Sequence, residues 1–188
     1  MAKIILASQS PQRKKLLEWA GIDFETIPSN IEETYPPGLT PGEVALHISR
    51  NKALDIKQKL AAKNDYRDII AADSIVVLEN RIIGKPIDYE DAIAILTALS
   101  GKIHNVITGV CIIKNGEEIS FADITEVEFY ELSRAQIIYY VDNYKPFDKA
   151  GAYAIQEWIG VTGIKRISGD FYNVMGLPVS RVVKALDR

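Results

Sequence analysis

The chain has 188 residues, 47% hydrophobic and 25% charged, which suits one domain with a sizeable core and argues against intrinsic disorder. A net charge of -3 disfavours nucleic acid wrapped along a broad basic surface, yet leaves room for a small anion in a local basic pocket. No stretch reaches the ~20 apolar residues of a membrane span, and the apolar part of Met-Ala-Lys-Ile-Ile-Leu-Ala-Ser is too short for a secretory signal, so a cytoplasmic protein without membrane contact is expected.

Residues 3–7 read as a buried strand entering the loop Ser8-Gln9-Ser10. Pro11 suits a first helical position with Ser10 as cap, and that helix should run to about residue 20 and stop at Gly21. A second strand precedes the loop of Glu32 and Glu33. A helix over roughly 41–62 carries the stripe Ala45, Ile48, Lys52, Ile56, and residues 69–78 form an apolar strand interrupted by Asp73 and Ser74. Lys85 follows in the loop Gly84-Lys85-Pro86. A third helix starts at Asp88, with Asp91 completing a capping-box-like pattern and Ala92, Ile95, Leu96 and Leu99 facing inward.

Residues 106–113 and 119–130 read as strands joined through Asn115-Gly116, a strong hairpin signal. Cys111, the single cysteine, excludes an internal disulfide and reads as a small core hydrophobe. Ser133 and Gln136 form a capping box before a helix over 135–143. Residues 145–176 read as a glycine-rich loop region with a strand near 161–167, and Pro178 opens a last helix with Val179, Val182, Val183 and Leu186 on one face. The pattern predicts a single α/β domain over 1–188 whose sheet mixes antiparallel ribbons with parallel crossovers. There is no Gly-x-Gly-x-x-Gly after the first strand and no Walker lysine motif.

Polar residues at apolar positions point to chemistry. Asp73 interrupts a buried strand, where a carboxylate costs several kcal/mol unless cations or donors compensate it; the bland alternative is a strand-end carboxylate turned to water. Lys52 sits in an apolar stripe, where its ammonium either snorkels out or meets an anion. Ser8 to Lys15 combines two hydroxyls, a helix N-terminus and three cations that the helix dipole disfavours; an anion such as a phosphate would remove the conflict, and the bland alternative is a capped helix with solvated lysines. Glu33 is either solvated beside Glu32 or a partner of Asp73 around a hard cation. His47 and His104 show no metal-ligand spacing and read as structural.

Leu6-Ala7-Ser8-Gln9-Ser10-Pro11 with Arg13, Ile31-Glu32-Glu33, Asn51-Lys52-Ala53, Ala72-Asp73-Ser74, Gly84-Lys85-Pro86 and Leu99-Ser100-Gly101-Lys102 follow in order. Asp148-Lys149-Ala150-Gly151-Ala152-Tyr153-Ala154-Ile155-Gln156 and Asn173-Val174-Met175-Gly176-Leu177-Pro178 complete the set. Together they make the whole chain resemble the Maf-like nucleotide pyrophosphatases. The resemblance implies a long twisted mixed sheet with flanking helices and a central cleft, like the inosine triphosphate pyrophosphatase fold. It also implies hydrolysis of a nucleoside triphosphate to monophosphate and pyrophosphate with a divalent metal, magnesium first and manganese second. Asp73 would accept the proton and share the metal with Glu33. Lys52 and Lys85 would act on the triphosphate, with Ser8, Ser10 and Arg13 binding it.

Gln12, Ser74 and Gln156 would set base specificity. The dTTP/UTP branch has Arg, Thr and Gln at those places; Gln156 matches, Ser74 keeps the hydroxyl, and Gln12 loses the charge and bidentate fork. The branch acting on 7-methyl-GTP carries Gln after the Asp and Glu near position 156, so the resemblance favours dTTP and UTP. Pyrophosphatase action on modified nucleotides and a nucleotide-binding role in cell division are the alternatives. A homodimer is the family habit.

Overall fold

The computed structural model describes residues 3–187. The elements in chain order are β1 (Ile4–Leu6), α1 (Pro11–Trp19), β2 (Phe24–Thr26), α2 (Pro41–Ala61), β3 (Ile69–Leu78), β4 (Arg81–Ile83) and α3 (Tyr89–Leu99). They continue with β5 (Ile103–Lys114), β6 (Glu117–Phe129), α4 (Arg134–Tyr144), a 3-10 turn (Ala150–Ala152), α5 (Trp158–Gly163), β7 (Ile164–Ser168), α6 (Phe171–Met175) and α7 (Val179–Leu186). Seven strands form one mixed sheet in the order β2-β1-β3-β5-β6-β7, with β4 paired to β3. β1 runs parallel to β2 and β3, whereas β3 with β4 and β6 with β7 are antiparallel. The fold is therefore mixed α/β. No helix among the described residues is long and apolar enough to cross a membrane.

By contact the chain forms two compact units: residues up to Ser74 with Thr108–Asp123 and Gly176 onward, and Ile75–Ile107 with Ile124–Met175. In the first, Ala53, Ile56 and Leu60 of α2 bury against Ile5, Ala7, Ile69, Ala71, Cys111 and Ile113. Cys111 is thus a core side chain, as its neighbours predict. Gly109 lets α2 approach β5: a Cβ there would lie 2.3 Å from the carbonyl carbon of Ala45. Asn115 and Gly116 both have positive φ, the signature of a two-residue hairpin turn between β5 and β6.

Caps place the helices where the sequence predicts. Ser10 accepts from the backbone N–H of Arg13, Asp88 from that of Asp91, and Ser133 with Gln136 forms a full capping box. Thr40 and Glu43 form a second box at the start of α2. Two expectations need correction. The strand expected near 161–167 begins only at Ile164, because residues 158–163 form α5; Glu157 O accepts from the N–H groups of both Gly160 and Val161. Pro178 precedes α7 as its cap instead of opening it.

Candidate active site

Ser8 lies in the short loop between β1 and α1, with its hydroxyl toward the start of that helix. Ser8 Oγ accepts from the N–H of Ser10 at 3.1 Å. No acidic residue lies in the first turn of α1, so its positive end is uncompensated by the helix itself. Of the three cations there, Arg13 turns inward and Lys15 lies over the Trp19 ring.

Arg13 is held by three oxygens. Nε donates to Gly176 O at 2.7 Å, Nη2 to Ser74 Oγ at 3.0 Å and Nη1 to Ser8 Oγ at 3.4 Å. Burial lowers the pKa of its guanidinium below the ordinary value, and the negative charges of Asp73 and Glu33 oppose that shift.

Asp73 on β3 is 7% exposed, so the buried reading of its carboxylate holds. Lys52 compensates it: Nζ donates to Asp73 Oδ1 and to Glu33 Oε1, each at 2.7 Å. Lys52 does not snorkel out; its ammonium joins two carboxylates from a strand and a loop. Removing one partner of such a buried pair costs about 3–5 kcal/mol, because the other charge is left uncompensated.

The structure thus brings Ser8, Ser10, Arg13, Glu33, Lys52, Asp73 and Ser74 together in the first unit. Gln12 lies beside them in sequence, and its Oε1 is buried without a protein partner among the described residues. Among those residues no group of three or more His, Cys, Asp and Glu side chains is arranged to hold a metal. The carboxylates of Asp73 and Glu33, gathered on one ammonium, nevertheless suit a hard cation that takes its remaining oxygens from phosphates and water. The sequence reading missed two groups: Thr108 on β5, whose Oγ1 is 2.8 Å from Ser74 Oγ, and the carbonyl of Gly176.

Lys85 and Gln156 belong to the second unit. Lys85 is exposed in the loop after β4, and Gly84 O in that loop accepts from the N–H of Gly151 at 3.0 Å. Gly151 and Ala152 both adopt positive φ, +71° and +57°; the second is strained for a residue with a side chain. Tyr153 Oη and His104 Nε2, 2.8 Å apart, pin the next residue. Tyr140 Oη accepts from Ala154 N–H and donates to Glu157 Oε2. Gln156 lies within this fixed segment, and both atoms of its amide are buried without a protein partner among the described residues. A buried amide so placed costs stability unless a ligand or water satisfies it. His104 bonds Tyr153, and His47 bonds Asn51.

A family model described as Maf-like protein matches residues 3–188. A dTTP/UTP pyrophosphatase of Cytophaga hutchinsonii is 53% identical over 98% of this chain and 83% of its own length. Proteins of the same name from Phocaeicola vulgatus and Parabacteroides distasonis are 50% and 46% identical; the matches cover 99% and 98% of this chain and 95% and 94% of theirs.

Proposed function

Because the chain belongs to the Maf-like protein family, we propose that it is a nucleoside triphosphate pyrophosphatase hydrolysing dTTP and UTP to the monophosphate and pyrophosphate. The observation that carries the reading is the Lys52 ammonium joining Asp73 and Glu33, beside an arginine held at a helix N-terminus. A hydrolase needs a base that stays dry and placed.

Ser8, Ser10, the N–H groups of α1 and the Arg13 guanidinium would receive the triphosphate, where the helix dipole and the arginine both favour negative charge. Lys52 and Lys85 would neutralise charge that moves onto the leaving pyrophosphate, the main task in phosphoryl chemistry. Asp73 would orient the attacking water toward the α-phosphorus and take its proton on Oδ2, since Oδ1 is bonded to Lys52. Asp73 and Glu33 would hold the divalent metal, magnesium first and manganese second, which would supply further charge neutralisation on the phosphates. Gln156, with its amide buried and unpartnered, would read the base; Gln12 and Ser74 complete the specificity set. The enzyme would work in the cytoplasm, where these triphosphates are held.

A panel of nucleoside triphosphates with magnesium, read by pyrophosphate release, tests this directly. Release from dTTP and UTP is expected. Release only from 7-methyl-GTP or another modified nucleotide would reassign the substrate, and release from none would leave a binding role.

A further inference from the structure

Thr108 is fully buried, and its hydroxyl lies 2.8 Å from that of Ser74, in the run Val106-Ile107-Thr108-Gly109-Val110. Protons around Ser74 decide what this contact does. A guanidinium has no acceptor, so Arg13 Nη2 must donate to Ser74 Oγ at 3.0 Å. Ser74 then has one proton of its own to place, with two acceptors in reach: Thr108 Oγ1 at 2.8 Å and Gly176 O at 3.5 Å. The second is at the limit of a hydrogen bond, and Gly176 O already accepts from Arg13 Nε at 2.7 Å. If Thr108 is instead the donor, Ser74 accepts twice and turns its proton to Gly176 O. In the first arrangement the Ser74 proton is spent on Thr108; in the second, Thr108 donates to Ser74 and the hydroxyl is still held between Arg13 and β5.

We propose that Thr108 is a positioning residue for the triphosphate site: it fixes the Ser74 hydroxyl, which fixes the Arg13 guanidinium, so that position 74, besides its place in the specificity set, acts on the triphosphate through Arg13. The inference rests on the reading of Arg13 as a triphosphate ligand. It explains why a hydroxyl serves at 74, since only a group that accepts from arginine and also bonds inward completes the chain from β5 to α1.

The test is steady-state KM and kcat for dTTP in Thr108→Val, Thr108→Ser, Arg13→Ala and the double variant Arg13→Ala/Thr108→Val. Valine keeps the shape and removes the hydroxyl; it should raise KM about five- to tenfold, the size of one lost hydrogen bond, with a smaller change in kcat. Serine should restore a KM near that of the unaltered protein. Valine should add nothing once Arg13 is alanine. Partial unfolding lowers kcat through the active fraction and leaves KM in place, so it does not imitate this pattern. An Arg13→Ala protein with unchanged KM would refute the triphosphate reading of Arg13 and the chain with it. A raised KM in Arg13→Ala, with Thr108→Val unaffected or Thr108→Ser equally impaired, would overturn the chain alone.

Discussion

Replacing His104 by glutamine perturbs a buried imidazole whose energetics the structure makes calculable. The ring packs edge-on against Phe129 and Tyr153, with centroids 5.1 and 5.4 Å away, and its Nδ1 has no protein partner among the described residues. Burial pushes its pKa down from 6.5 to about 4. The native state therefore keeps the ring neutral, while the unfolded chain takes up a proton below about 6.5. Stability from this group is intact above the unfolded value and falls with pH from there to about 4, where the native ring also titrates. At 1.36 kcal/mol per pH unit the loss across that window is about 3 kcal/mol. Glutamine does not titrate, so it removes this slope, although losing the Tyr153 bond and ring contacts costs stability at every pH. Urea unfolding of both proteins at pH 7.5, 6, 5 and 4 isolates the effect, because the other groups titrate in both. The stability advantage of the parent over His104→Gln should shrink by about 3 kcal/mol between pH 7 and pH 4. An advantage that stays constant would refute the neutral buried imidazole.

Gln156→Met should separate stability from function: deleting an unpartnered buried amide should stabilise by about 1 kcal/mol in thermal melting while dTTP hydrolysis loses roughly tenfold or more in kcat/KM. A loss of both would show the amide serves the fold. Gly109→Ala would press a methyl group into the backbone of Ala45 and should cost about 3 kcal/mol, lowering the melting temperature by roughly 6–12 °C; an unchanged melting curve would mean that α2 shifts freely.

Asp73 and Lys52 were legible because each breaks a strong apolar pattern, and a charge at a core position demands a partner. The sequence does not say that the two meet; that depends on the register of α2 over β3. Thr108 breaks an apolar run in the same way, but a hydroxyl is cheap to bury and gives a fainter signal than a charge. The Gly176 carbonyl is a backbone atom with no side-chain signature at all. Residues 161–163 suit the start of a strand as well as the end of a helix, and the six residues of α5 are too few for periodicity to decide. The unpartnered amide of Gln156 is a property of its surroundings, set by positive φ at Gly151 and Ala152 and by the Tyr153–His104 bond, none of which composition reveals.

Pyrophosphate released from dTTP in the presence of magnesium, compared between the parent protein and Asp73→Asn, tests the assignment of the buried carboxylate as the base. The substitution keeps the shape of the side chain and removes its ability to hold a proton. A fall in kcat of about 10²–10⁴ with dTTP still bound is predicted; turnover that survives the change would remove Asp73 from the chemistry.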